Sequence, residues 1–229
     1  MTVAQRTAIG IPLNWPILEG VPGEVVDRLL TAGRRHRYRA NEIVFHEGDP
    51  ADTLHLVLKG KASASITSPY GNEVIFRMIK EGEIFGELSL LTPDGLRTAT
   101  VRAVEPFETL AIRHRDFDHF RVANPEVTWL LAKMLAEQLR RTNGRLVEAL
   151  FVPVEVRVLR RLVELTETYG EGEKAVIPLS QEELANLAGS TRATTNRVLK
   201  KEEKRGTLRL DRGRITILDH SSLARRAAR

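Results

Sequence analysis

Glu87 and Arg97 stand ten positions apart in GELSLLTPDGLRTATV, the stretch from Gly86 to Val101. The two ends of this stretch are equipped for different kinds of recognition. Arg97, followed by the hydroxyl of Thr98, can neutralise a phosphate through charge-assisted hydrogen bonds, roughly twice as strong as neutral ones. The backbone N–H groups of Gly86, Glu87 and Leu88, at the start of a helical turn that runs on into Ser89, form an anion seat. Glu87 itself is unsuited to a phosphate. Its carboxylate is better used accepting from a hydroxyl, as an acidic residue does in dinucleotide sites. The competing reading is a plain Glu87–Arg97 salt bridge that ties two elements together.

A second constellation begins at Ser180. Ser180 and Glu183 fit the S-x-x-E capping box that starts a helix. Leu184, Leu187 and Ala188 give that helix an apolar face. Gly189 can take positive φ in the tight turn that follows. Thr191 then caps a second helix, with its inner face expected at Ala193, Val198 and Leu199. Two short helices joined by a glycine turn form the DNA-reading motif, whose second helix enters the major groove by its N-terminal residues. Ser190, Thr191, Arg192, Thr194, Thr195, Asn196, Arg197 and Lys200 are therefore expected at DNA. Arginine and asparagine can each grip a base edge with two hydrogen bonds, while hydroxyls suit phosphates. A following hairpin around Asp-Arg-Gly-Arg adds Arg209, Arg212 and Arg214 as a basic wing. An ordinary helical hairpin with solvated charge would explain any one of these features. Their coincidence favours DNA.

The charge distribution agrees. The formal net charge is +5, and residues 152–229 carry all of it, with 16 Lys/Arg against 11 Asp/Glu. Residues 1–151 hold 19 of each. A basic segment behind a neutral one suits a polyanion partner.

The elements that must position these residues change character along the chain. From Glu42 to Ile112 the text breaks into EIVFH, LHLVLKG, ASASIT, EVIFRMI, ATVRAV and FETLAI, separated by turn signals. Many short antiparallel strands at this spacing predict a jelly-roll or barrel. Gly48, Gly60, Gly71, Gly82 and Gly86 fall at its turns, and SPYGN reads as a hairpin tip. Upstream, Val25, Val26, Leu29 and Leu30 have helical spacing. Beyond, Asn124 suits an N-cap and Pro125 a first helical position. Leu131, Leu135, Leu139, Thr142, Leu146 and Leu150 then form one stripe on a helix of roughly 25 residues, about 38 Å long. So long a helix either crosses a sheet as a core element or pairs with a copy of itself, and the narrow stripe with polar flanks favours self-pairing into a homodimer. FVPVE, from Phe151 to Glu155, breaks the pattern, and an amphipathic helix closed by Gly170 follows.

The chain has 229 residues, 42% hydrophobic and 28% charged, and no cysteine. That composition is ordinary globular material without disulfides, thiolate zinc sites or iron–sulfur clusters. No apolar run reaches the ~18–20 residues of a membrane span. MTVAQRTAIG lacks the apolar core of a signal peptide. A cytoplasmic protein without a membrane partner is expected. The six histidines are scattered, so no metal constellation and no enzymatic centre is expected.

FGELSLL with RTATV ten residues on, Arg141-Thr142-Asn143 in the long helix, and GSTRATTNRVL in the reading helix together carry a resemblance. The chain resembles the cyclic-AMP receptor protein (Crp/Fnr) family of bacterial transcription regulators, from about Val21 to Ala227. The resemblance implies an α+β fold in three parts. An N-terminal, jelly-roll-like β-roll that binds a cyclic nucleotide covers residues 1–123. A long dimerisation helix covers 124–151, and a C-terminal winged helix-turn-helix covers 152–229. It implies that Gly86, Glu87, Leu88 and Ser89 with Arg97 and Thr98 grip the ribose and phosphate of cyclic AMP, ahead of cyclic GMP, as an allosteric effector without a metal. Thr142 and Asn143 stand where members place Thr and Ser to read the base edge, with Leu88, Leu91 and Leu146 as an apolar wall. The implied partners are double-stranded DNA with a palindromic operator, a second copy of the chain, and RNA polymerase. A constitutive DNA-binding dimer with a vestigial effector site is the alternative.

Two departures stand out. Family members read Arg-Glu-Thr where this chain reads Arg192-Ala193-Thr194, so the glutamate that accepts from a cytosine amine is missing. Pro153 replaces a small or acidic hinge residue. It either restrains the swing of the DNA-binding parts or simply starts the next helix.

Overall fold

The computed structural model describes residues 15–92, 94–171 and 174–228. Helix α1, Gly23–Ala32, buries Val26, Leu29 and Leu30, as its apolar spacing requires. Strands β1 (Arg34–Tyr38), β2 (Ile43–Phe45), β3 (Thr53–Lys59), β4 (Lys61–Thr67), β5 (Glu73–Lys80), β6 (Ile84–Phe85), β7 (Thr100–Ala103) and β8 (Phe107–Arg113) follow. They form two four-stranded sheets in the orders β1-β8-β3-β6 and β2-β7-β4-β5. This is the β-roll. Rings from the two sheets meet inside it, Phe45 against Phe85 with centroids 5.8 Å apart. The SPYGN tip closes as a hairpin, with Ser68 N donating to Asn72 O at 2.8 Å.

Sequence periodicity does not reveal β1 or β6. β1 reads Arg-Arg-His-Arg-Tyr and is exposed along most of its length, so it has no apolar alternation to detect. Its register against β8, Arg35 opposite Leu110, and the pairs from Arg35 and Arg37 to Glu108 hold it as an edge strand. Charged edges of this kind discourage pairing with a foreign strand. β6 is only two residues long.

Helix α2 (Leu88–Leu91) follows β6, and α3 (His114–Ala123) follows β8. Helix α4 spans Pro125–Phe151, 27 residues. Asn124 does not cap it as expected. Its side-chain amide donates instead to Phe120 O at 2.7 Å, closing α3. The leucine stripe also divides. Leu131 is buried in its own chain, in a cluster with Leu29, Leu30, Ile112, Phe117 and Phe120, and Leu135 packs against that cluster. Leu131 is therefore spent on its own domain, and Leu135 is half-buried there. Leu139, Leu146 and Leu150 are exposed by 61%, 58% and 67%, so the outward apolar stripe begins only at Leu139.

The chain divides into two compact units, one comprising the chain up to Ile66 together with Arg77–Arg140, the other Thr67–Phe76 with the chain from Arg141 onward. The second contains α5 (Val154–Tyr169), β9 (Gly170–Glu171), β10 (Lys174–Ile177), α6 (Gln181–Ala188), α7 (Arg192–Lys204), β11 (Leu208–Asp211), β12 (Arg214–Ile217) and α8 (His220–Ala227). Pro153 is the residue immediately before α5. Gly170 leaves α5 in an extended conformation, φ −108°, because strand β9 begins there, so it is not a left-handed cap. The strands form one sheet, β11-β12-β10-β9, under helices that bury Leu162, Leu184, Leu199 and Leu223. Sequence reading does not single out β9, β10 or α8. In α8 the readable signals are Asp219, which accepts from Ser222 N at 2.8 Å, and the i, i+4 pair Leu223 and Ala227.

Candidate functional site

The β-roll site is assembled where β6 ends. Gly86 turns the chain with φ +81°, a conformation that side chains with a Cβ rarely adopt. Glu87 follows in helical geometry and leads into α2. Arg97 comes back from the far side of the intervening loop. One terminal nitrogen, Nη1, donates to Thr53 O at 2.7 Å and to Gly86 O at 3.4 Å. The other, Nη2, donates to Thr53 Oγ1 at 2.8 Å. The guanidinium lies over the Phe45 ring, 4.1 Å from its centroid, a cation–π contact. Nε is buried without a partner. Sequence spacing does not single out Phe45 or Thr53, since neither lies in the Gly86–Val101 stretch.

Glu87 and Arg97 are both buried, 4% and 5% exposed. They do not form the salt bridge that the sequence leaves open. Arg97 spends its donors on neutral oxygens, and no described residue pairs ionically with Glu87. Burial holds the Arg97 pKa below its ordinary value, with Asp52 and Asp49 opposing. Burial likewise raises the Glu87 carboxyl, and the charge of Arg77 opposes that shift. Arg77 is itself paired with Glu83 at 3.0 Å. The Arg97 guanidinium and the Glu87 carboxyl are thus both buried without pairing with each other. A buried charge is expensive unless something pairs with it.

The other expected residues are placed as follows. Ser89 is buried and Leu88 half-buried, while Thr98 is exposed. Thr142 and Asn143 are exposed on α4. Beside the site, His55 stacks on Phe85 with centroids 4.8 Å apart and shares a hydrogen bond with Thr109 Oγ1 at 3.1 Å. Burial first, then the nearby Arg97 charge, lower its pKa to about 3, so it stays neutral.

Gly86 has a steric duty as well as a torsional one. A Cβ there would lie 2.6 Å from Arg97 Nη1. Gly86→Ala is therefore expected to displace the guanidinium and to cost about 1–3 kcal/mol of folding stability. Denaturant unfolding checks this, and a variant as stable as the parent contradicts the backbone strain expected at φ +81°.

The second site is built on the capping box. Ser180 Oγ accepts from Glu183 N at 3.2 Å, and Glu183 Oε2 accepts from Ser180 N at 2.7 Å. Gly189 takes the left-handed conformation, φ 57° and ψ 49°. Thr191 Oγ1 caps α7 by accepting from Thr194 N at 3.2 Å. Arg192 and Arg197 are exposed on α7, as is Arg212 at the tip of the β11–β12 hairpin. Lys200 pairs with Glu203 at 2.8 Å. Arg209 and Arg214 both approach Asp211 at 3.4 Å.

One expected role is overturned here. Thr195 is fully buried, beside Val198 and Leu199, and faces the core of the domain rather than DNA. Ala193, expected inside, is exposed. The helix is rotated from the expected setting because Thr195, Val198, Leu199 and Glu202 make its inward stripe. Asn196 is half-buried, with Oδ1 enclosed and unpartnered. Ser190 donates to Thr191 O at 3.3 Å.

Residues 35–124 match the cyclic nucleotide-binding domain family, and residues 156–226 match the Crp-like helix-turn-helix domain family. The CRP-like cAMP-activated global transcriptional regulator of Mycobacterium tuberculosis is 31% identical over 215 residues, covering 92% of this chain and 96% of that protein. The chain belongs to the cyclic-AMP receptor protein (Crp/Fnr) family. Another family relative, the cyclic AMP receptor protein of Thermus thermophilus, is 33% identical over 208 residues, covering 91% of this chain and 94% of its own length. Among solved structures of the family, the c-di-GMP responsive global regulator CLP of Xanthomonas campestris matches with a TM-score of 0.75. It is 25% identical and covers 86% of this chain and 99% of its own. The catabolite activator protein of T. thermophilus matches with a TM-score of 0.54 at 33% identity, over 93% of this chain and 98% of that one. Like the family it belongs to, this chain is a DNA-binding transcription regulator with a cyclic nucleotide-binding domain.

Proposed function

We propose that the chain is a homodimeric, sequence-specific regulator switched by cyclic AMP. The observation that carries the reading is the buried Arg97 guanidinium, bonded only to neutral oxygens and set in one site with the buried Glu87. A small cyclic anion satisfies both groups. Its phosphate pairs with Arg97 and the Thr98 hydroxyl, over the backbone of Gly86, Glu87, Leu88 and Ser89, and its ribose hydroxyl donates to Glu87. The hydroxyl of Thr142 and the amide of Asn143 are assigned to the base edge, since an amide can both donate and accept there. Naming cyclic AMP leans on the cAMP-activated relatives. The exposed stripe of Leu139, Leu146 and Leu150 supplies the seam between two copies. Arg192, Thr194 and Arg197 face a palindromic operator, with Arg209, Arg212 and Lys200 at its phosphates. RNA polymerase is the downstream partner, in the cytoplasm.

Switching follows from linkage. The nucleotide moves the equilibrium toward the operator-competent form by its differential affinity for the two forms, typically 1–3 kcal/mol. Calorimetric titration with cyclic AMP, cyclic GMP and c-di-GMP, followed by operator band shifts with and without each, tests the reading. Cyclic AMP is expected to bind most tightly and to raise operator affinity about 5- to 150-fold. Equal operator affinity with no nucleotide and with each of the three refutes it.

A further inference from the structure

Arg157 lies in the first turn of α5 and ends two other helices with one guanidinium. Nε donates to Ala188 O at 3.1 Å and Nη2 to Gly189 O at 2.8 Å. Nη1 donates to Val152 O at 3.0 Å and to Ala149 O at 3.3 Å. Ala188 closes α6 and Gly189 is the left-handed residue of the reading motif's turn. Ala149 lies in the last turn of α4, and Val152 just beyond it. The last carbonyls of a helix have no partner inside it and carry its negative end, where a cation is stabilising. Arg157 therefore neutralises the ends of the long helix and of the first reading-motif helix at once. Its neighbours also hold carboxylates. Arg160 and Arg161 pair with Glu148, and Arg160 Nε donates besides to Ala227 O at the end of α8, whereas every bond from Arg157 goes to a backbone carbonyl. A planar fork with five donors can span four such acceptors, and a lysine cannot.

We propose that Arg157 is a positioning residue that fixes the turn of the reading motif to the end of the long helix. The separation of the two reading helices in a dimer is then set by the long helices. Pro153, with φ −54°, stiffens the joining residues, and Glu148 of α4 pairs with Arg160 and Arg161 of α5, but among the described side chains Arg157 is the one bonded to both the turn and the end of α4. Helix α6 is otherwise held by the packing of its buried Leu184, Ala185, Leu187 and Ala188 and by one hydrogen bond, Asn186 Nδ2 to Glu73 Oε2 at 3.3 Å. The inference rests on the two-fold, operator-binding reading above.

The test measures binding of the full-length protein to palindromic operators at the best half-site spacing and at spacings one base pair shorter and longer, with a scrambled duplex alongside. Each series is run with and without cyclic AMP. In Arg157→Ala the ratio of best-spaced to mis-spaced affinity is expected to fall about 5-fold or more, the lower end of typical coupling between sites. Affinity for the scrambled duplex stays near the parent value, while the melting temperature falls, because four carbonyls lose their partner. Arg157→Lys, which keeps the charge without the fork, is expected to show the same loss, and it decides the matter if the alanine variant does not fold. Simple destabilisation lowers binding at every spacing together and leaves the ratio intact. A ratio unchanged in a folded variant, where the parent discriminates spacing, overturns the proposal. A parent indifferent to spacing overturns the two-fold reading and this proposal with it.

Discussion

Arg97→Met is expected to abolish cyclic-nucleotide binding without lowering the stability of the ligand-free protein. The two halves of this expectation have one cause. In the ligand-free fold the guanidinium is buried, meets only neutral acceptors, and leaves Nε without a partner. Replacing buried ion pairs by apolar side chains of similar volume is often neutral or stabilising, and Arg97, which is bonded only to neutral oxygens, carries the desolvation cost without a pair's attraction. Methionine fills the space over Phe45 and removes the desolvated charge, so the melting temperature should hold or rise. Binding has the opposite sensitivity, because a phosphate in a site without its cation is itself a buried unpaired charge. Truncating one partner of such a pair typically costs about 2–5 kcal/mol, or roughly 30- to 5,000-fold in affinity. Calorimetry reads the second half and thermal unfolding the first. A salt bridge holding two elements together would predict the reverse pattern, with stability lost and nucleotide affinity kept, and that outcome would remove Arg97 from the site. Operator binding by the variant should no longer respond to nucleotide.

What the sequence reveals and what it conceals divide along physical lines. Features carried by local rules are legible. The capping box at Ser180, the left-handed Gly189 and the Thr191 cap need only a few adjacent residues, and each appears with its expected bonds. The apolar spacing of α1 and the positive φ of Gly48, Gly60, Gly71, Gly82 and Gly86 are equally readable. Features that depend on what packs against an element are not. Whether Leu131 faces a partner or its own domain is decided by α1 and α3, elements outside its own helix. The rotation of α7 is decided by the sheet and helix beneath it, which take Thr195 inside and turn Ala193 out. A threonine carries no polarity signal strong enough to forbid burial. The same holds in the effector site. Glu87 and Arg97 announce themselves by type and spacing, but Thr53 and Phe45, which fix where the guanidinium lies, become visible only when β2 and β3 are folded beside it.

The burial of Thr195 sharpens the last expectation, because it leaves base reading in α7 to fewer side chains. Arg192 and Arg197 are exposed on the outward side of the helix, five residues apart. Thr194 is engaged with the Thr191 cap, and Asn196 is half-enclosed. With alanine at 193, no carboxylate stands between the two arginines to accept from a cytosine amine. Guanine recognition should therefore dominate specificity, with Ala193 able to meet a thymine methyl. Arg197→Ala is expected to remove about 1–3 kcal/mol of discrimination per half-site. A dimer carries the change twice, so operator affinity should fall by about 2–6 kcal/mol if the half-sites are independent. Binding to scrambled duplex should weaken far less. Arg212→Ala, at the wing tip, serves as the contrast. Removing a phosphate partner there should weaken all sequences alike and lower the salt slope by about one per phosphate left unpaired. Site selection from a random library separates the two modes: the guanine preference flattens at one position of each half-site in Arg197→Ala and persists in Arg212→Ala. An unaltered guanine preference in Arg197→Ala would move base reading to Arg192 and leave Arg197 at the DNA backbone. The salt slope would then drop for Arg197→Ala as it does for the wing variant.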